Sequence, residues 1–168
     1  MTAFVFAAIV PPKLNIAGFR KEITSELEKE GVTQRQILGR TTTGWKDRPK
    51  FESDVSLGRE DATVWTYPTG SEDAVNHWNW TDQGTEPHTI TARNSPTLIF
   101  QAGYTPRTKV RKYSSGASKK FGAWRRPTVV HHPGTTAREW SQDLSQRRAK
   151  PFQQRIESAM QRAAQNAW

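Results

Sequence analysis

Two short histidine-bearing turn motifs constrain this chain more than any other feature. The first is Trp80-Thr81-Asp82-Gln83-Gly84-Thr85-Glu86-Pro87-His88, followed by the apolar run Leu98-Ile99-Phe100. The second is Val129-Val130-His131-His132-Pro133-Gly134-Thr135, which runs into a helix-like tail. Gly84 and Gly134 can take positive φ, and Pro87 and Pro133 fix their own φ, so each motif reads as a rigid strand-to-turn corner. Asp82 and Thr85 can bond turn amides and hold the first corner. In the second, Thr135 or Thr136 is expected to cap the following helix, with Glu139 completing a capping box. The plain reading of both is fold-making. The functional reading is that the corners, His88 and His132 among them, present side chains to a neighbouring subunit.

Between and around these corners the hydrophobic periodicity predicts an α+β chain. Phe4 to Val10 reads as a buried strand ended by Pro11-Pro12, and a helix is expected to start near Lys13 to Ile16. Ile16, Phe19, Ile23 and Leu27 align one face of it, with Arg20, Lys21, Glu22, Glu26 and Glu28 facing away. Gly31 reads as its stop, and Thr33 to Leu38 as a short second helix capped by Thr33. Lys50 to Val55 and Ala62 to Tyr67 alternate like the strands of an antiparallel hairpin. Thr89 to Ala92 and Thr97 to Gln101 read as a further pair, and Thr128 to His131 as a returning strand. From about Ala137 the spacing of Trp140, Leu144, Phe152, Ile156, Met160 and Ala163 is helical, and Pro151 is expected to kink or split that helix. The expected architecture is a small, mainly antiparallel sheet packed against an N-terminal and a C-terminal helix. It is read as a single domain over residues 1–168.

The chain has 168 residues, of which 34% are hydrophobic, and a mean hydropathy of -0.81. Seven Trp and seven Phe offset this thin apolar content, because large rings bury much area each. A protein that completes its burial against neighbouring subunits fits such a composition. There is no Cys, so disulfides and thiolate chemistry are excluded. The run Phe4 to Val10 is far shorter than the ~20 residues of a membrane helix and lacks the charged leader of a signal peptide. No membrane association is expected.

Charge is unevenly placed. Residues 1–100 carry 11 Lys/Arg against 13 Asp/Glu, a net of −2, whereas residues 101–150 carry 12 against 2, a net of +10. Within 103–127, Arg107, Lys109, Arg111, Lys112, Lys119, Lys120, Arg125 and Arg126 alternate with Tyr113, Phe121 and Trp124. This stretch shows no clean period and reads as a flexible basic loop or an extended hairpin that serves a partner. Cations that neutralise phosphates, interleaved with rings that stack on bases, point to nucleic acid. The stretch carries no known base-reading module, so the preferred reading is pairing with acidic surface of an adjacent subunit, for which Glu26 to Glu30 and Glu72-Asp73 are candidates.

The four histidines raise a metal hypothesis if the two corners meet. Their spacing matches no zinc pattern, and adjacent strand residues such as His131 and His132 point to opposite faces. No nucleophile elbow, phosphate loop, zinc-protease helix or dinucleotide fingerprint is present. Neither a metal, a cofactor nor an enzymatic activity is expected.

The order of motifs, from Trp45 to Phe51 through "DQGT-x-PH" (Asp82 to His88), Leu98-x-Phe100 and a basic loop to "HPGT" (His132 to Thr135) and a helix, resembles a known family. It is similar to the neck and tail-completion proteins of tailed bacteriophages, the head–tail joining and tail-terminator-like components of the virion. That resemblance implies a homo-oligomeric ring, commonly a hexamer, made in the host cytoplasm and built into the virion. Its neighbours would be a head-closure or stopper protein and a tail terminator or tail tube, with genomic DNA in the lumen. The doubled His131-His132 and Trp140, where such proteins often have Phe, depart from the pattern.

Overall fold

A computed structural model describes residues 4–5, 16–58, 61–103, 110–113 and 122–165. The fold is α+β, with helices near both ends and small antiparallel sheets between them. The chain forms two compact units. The first comprises Met1–Gly39, Lys50–Thr69 and Ser141–Trp168, and the second Arg40–Pro49 and Gly70–Trp140. Among the described residues no helix is long and apolar enough to cross a membrane.

The first unit is a three-stranded antiparallel sheet of order β1-β3-β2 with two helices. β2 (Lys50–Leu57) and β3 (Asp61–Thr69) form the expected hairpin, from Lys50 opposite Thr69 to Leu57 opposite Ala62. β1 (Phe4–Val5) joins the other edge of β3 at Asp61 and Ala62. The remainder of the strand read over Phe4 to Val10, and the helix start near Lys13, lie outside the described residues. Exposure alternates along β2, so Phe51, Ser53, Val55 and Leu57 turn inward. Ile23 and Leu27 of α1 (Ile16–Gly39) and Phe152, Ile156 and Ala159 of α3 (Trp140–Gln165) share one apolar cluster with Ala62.

α1 does not stop at Gly31. It runs on to Gly39, so the two helices expected there are one. Gly31 is buried against the sheet, where a Cβ would sit 2.5 Å from Ser53 Oγ, and its bare backbone lets the helix approach the strands. Thr33 is not a cap. Its hydroxyl donates back to the Lys29 carbonyl at 2.9 Å, a bond made inside a helix. Likewise Pro151 removes one helical amide but does not split α3, which continues through it.

The charged faces also differ from expectation. Glu26 and Glu30, read as part of an outward acidic patch, are buried. Arg148 grips Glu30 with two bonds of 2.9 and 2.7 Å, Arg155 bridges Glu26 and Glu30 at 3.0 and 3.1 Å, and Arg162 reaches Glu26 at 3.3 Å and Glu22 at 3.8 Å. Arginines spaced by seven on α3 thus meet glutamates spaced by four on α1, running in opposite directions. Glu26 and Glu30 are thus consumed within the chain and offer no acidic surface to a partner, whereas Glu28 stays exposed. Burial pushes the Glu26 carboxyl up, but hydrogen bonds from Lys29 and Arg155 outweigh it and hold the group below its ordinary pKa.

The second unit contains a helix the sequence reading missed. α2 (Glu72–Gln83) begins at Ser71, whose Oγ accepts the Ala74 amide at 3.2 Å, and ends at Gly84 with φ 80°. Glu72 and Asp73, read as acidic surface for a neighbour, occupy its first turn, where the helix dipole favours negative charge. The first motif therefore begins inside a helix and leaves it at Gly84, rather than following a strand.

The strand pairing of this unit is also not as expected. β4 (His88–Thr91) pairs with β7 (Val129–His132), and β5 (Phe100–Gln101) with β6 (Trp124–Arg125), instead of β4 with β5. These pairings are nested. Thr85 bridges Thr135, His88 lies opposite His132 and Thr91 opposite Val129. The Ala92 amide then reaches the Thr128 carbonyl, the Leu98 amide the Pro127 carbonyl, and the Ala102 amide the Ala123 carbonyl. The described residues from Thr85 to Gly103 and from Gly122 to Thr135 thus pair as one nested antiparallel ladder, and the chain between Gly103 and Gly122 is entered and left through its β5–β6 base.

Candidate functional site

The two turn motifs meet. Thr85 and Thr135 exchange backbone bonds of 3.0 and 3.1 Å, and the Thr135 amide also donates to Thr85 Oγ1 at 2.9 Å. Gly134, with φ 87°, closes so tightly on this bridge that a Cβ there would collide with the Thr85 carbonyl oxygen. Gly84 is similarly pressed, a Cβ lying 2.7 Å from the Thr135 carbonyl oxygen. Both glycines are required by close approach as well as by φ.

Asp82 is the centre of the lock. It is 2% exposed, and its Oδ1 accepts the Trp140 amide at 2.6 Å. Its carbonyl takes the amides of Arg138 and Glu139 at 3.1 and 2.9 Å. The Trp140 amide that opens α3 is therefore held from another element, by a carboxylate oxygen in the role of a helix cap. This replaces the expected capping box. Thr135 is engaged in the bridge, and Glu139 has φ 55° and lies outside the helix.

Beneath the lock, Trp78 and Trp140 are buried with ring centroids 6.2 Å apart. Each indole N–H finds an acceptor, Trp78 at Thr41 Oγ1 (3.1 Å) and Trp140 at the Lys112 carbonyl (2.9 Å). Trp45, in the basic run before Phe51, stacks on His77 at 4.4 Å.

The histidines converge in part. His88 and His132 stack with centroids 5.0 Å apart. His88 Nδ1 faces the Glu86 carbonyl at 2.8 Å and so carries a proton, whereas His132 Nδ1 accepts the Gly134 amide at 3.1 Å and so does not. His131 Nδ1 instead meets Thr89 Oγ1 at 3.1 Å, and His77 is held by Trp45. Among the described residues no group of three His, Asp or Glu side chains could hold a metal ion. Pro87 and Pro133 are exposed, between the His88–His132 pair and the Thr85–Thr135 bridge.

The basic residues divide into three sets. Arg107, Lys109, Lys119 and Lys120 lie outside the described residues. Arg111 and Lys112 belong to a segment returned to the base of the excursion. The Arg111 amide bonds the Arg138 carbonyl, its guanidinium pairs with Glu139 at 2.7 Å, and Tyr113 Oη donates to the Trp140 carbonyl at 3.3 Å. Arg125 and Arg126 stand exposed beside Trp124, which is 65% exposed. Sequence reading singled out neither Trp78 nor Thr41, although a tryptophan in a polar run followed by Gly84 was a usable signal.

No protein-family model, curated protein or solved structure matches this chain.

Within the described residues, every buried side-chain nitrogen or oxygen has a partner. In a cleft of about 230 Å³ in the first unit, flanked by Gln34, Leu38, Val64, Arg148 and Phe152, Gln34 is engaged by Glu30 and Thr66 and Arg148 by Glu30. The paired turns hold backbone in place and leave Trp80, His88 and Trp124 facing outward.

Proposed function

We propose that this chain is a non-enzymatic structural protein of a tailed-phage virion, forming a ring at the head–tail junction or tail terminus. The observation that carries the reading is the residue-by-residue interlock of the two motifs on which the family resemblance rests. Asp82, Gly84, Thr85, His132, Gly134 and Thr135 are engaged with each other and with the start of α3. That is what motifs selected for building a body with fixed contact surfaces require. Exposed rings at Trp65, Trp80 and Trp124 are in keeping with burial completed against neighbours. The mechanism is docking. The ring joins head-closure components on one side and tail components on the other, with the genome on its axis.

The test is the mass of the purified chain by light scattering, at low and high salt, with and without duplex DNA. A closed oligomer of fixed stoichiometry that forms without DNA is the expected result. A monomer with tight DNA binding that weakens steeply with salt overturns it and moves the function to nucleic-acid binding through Trp124, Arg125 and Arg126.

A further inference from the structure

The outer face of the β2–β3 hairpin is acidic and aromatic. Pleat alternation puts Lys50, Glu52, Asp54 and Ser56 on the exposed side of β2, opposite Thr69, Tyr67, Trp65 and Thr63. Trp65 is 41% and Tyr67 37% exposed. Tyr67 Oη donates to Asp54 Oδ2 at 2.8 Å, and Thr69 Oγ1 to Glu52 Oε1 at 3.2 Å. Both carboxylates are thus oriented by neutral donors, with no cation bonded to either among the described residues. The Tyr67 hydroxyl is accordingly held above its ordinary pKa, first by the bond to Asp54 and then by burial and the charges of Asp54 and Glu52. Lys50, at the end of the row, offsets only part of this charge.

The base of the β5–β6 hairpin has the opposite character. Trp124, Arg125 and Arg126 are exposed there, and among the described residues no carboxylate pairs with either arginine. The contrast with Arg111, Arg148, Arg155 and Arg162, all paired internally, is direct.

We infer that copies of this chain associate head to tail, the acidic aromatic face of β2–β3 on one copy receiving the Trp124-Arg125-Arg126 hairpin base of the next. The inference rests on the ring reading above and gives it a contact. Trp, Tyr and Arg are the residue types that anchor protein interfaces, and Arg with carboxylate and Arg with an aromatic ring are their strong pairings. An acidic face repels nucleic acid, so its occupant is cationic, and this chain carries such a surface itself. Neither patch complements itself, so a two-fold dimer through either is disfavoured. A contact between two different patches propagates, and a closing rotation makes it a ring.

The experiment is sedimentation of the full chain and two charge-reversed variants, Arg125→Glu/Arg126→Glu and Glu52→Lys/Asp54→Lys, each alone and mixed. All four sites are exposed, and circular dichroism checks that the fold persists; Arg125→Gln/Arg126→Gln replaces the reversal if it does not. Each variant alone is expected to associate about tenfold more weakly or less well still, and an equal mixture to recover the wild-type mass. Only complementary charge gives that recovery. An oligomer unmoved by either reversal overturns the contact and leaves the ring standing. A wild-type monomer indifferent to DNA overturns the contact and leaves the assembly reading in place. A monomer whose DNA binding is lost with Arg125 and Arg126 overturns both.

Discussion

The two units draw on the same sparse apolar composition and are held together by different means. In the first, Ile23, Leu27, Phe152, Ile156 and Ala159 form a continuous core, flanked by a ladder of arginines and glutamates between two long helices. In the second, the strands are two to four residues long and β4 is exposed throughout. Its order comes from one tryptophan pair and from polar groups that satisfy each other at turns. Loss of a single polar atom is therefore absorbed differently in the two. In the first it strands a buried charge, and in the second it releases backbone.

That contrast can be broken by mutation. The largest effect is expected from Glu30→Ala, which leaves the Arg148 guanidinium without its buried acceptor and Arg155 with Glu26 alone. A loss of about 4 kcal/mol is expected from breaking a buried pair, measured by urea unfolding. Gly134→Ala should cost about 3 kcal/mol, combining collision with the Thr85 carbonyl and a left-handed φ. Five of the seven tryptophans, Trp45, Trp78, Trp80, Trp124 and Trp140, belong to the second unit, so fluorescence should report this loss before helical dichroism does. Asp82→Ala should cost about 2 kcal/mol by the same readout, with Asp82→Asn recovering part of it because its carbonyl can still accept the Trp140 amide.

Acid sharpens the comparison from the other side. Glu26 in the folded chain titrates below its ordinary value of 4.5. Its contribution is therefore complete above that pH and lost as pH falls through the depressed folded value. Acid titration should loosen the α1–α3 ladder in that window, and Glu26→Gln should flatten the dependence. The smallest effect is expected from Ser71→Ala, about 1 kcal/mol from the lost α2 cap, seen as a lower midpoint in thermal unfolding.

Much of the first unit was legible in the sequence because its signals are local. Alternation gave β2 and β3, and the spacing of Ile23 and Leu27 and of Phe152 and Ile156 gave the two helices. The ladder was not read, because charged residues on an amphipathic helix were assigned to water. Yet Glu22, Glu26 and Glu30, set against Arg148, Arg155 and Arg162, carry helical spacing of their own. α2 escaped because Asn, His and Trp are indifferent helix formers, although Ser71, the acids after it and Gly84 mark both its ends. In the second unit both corners were found but not their union. The pairing of Thr85 with Thr135 and the cap from Asp82 to Trp140 join residues far apart in the chain, and no local pattern encodes such partners. Gly31 and Glu139 misled for a related reason, as their backbone roles depend on what packs beside them.

The nested pairing of residues 85–135 has a further consequence, in chain entropy. Thr85 and Thr135 are 50 positions apart, and the cost of closing a loop grows only with the logarithm of its length, about 0.6 kcal/mol for each doubling. Most of that cost is already met by the time the bridge, β4–β7 and β5–β6 have formed. Residues added between Gly103 and Gly122, outside the anchored 110–113 segment, should therefore scarcely alter the stability of the base. Length beyond the hairpin base and the integrity of the corner are separate variables in this design: one can change without disturbing the other.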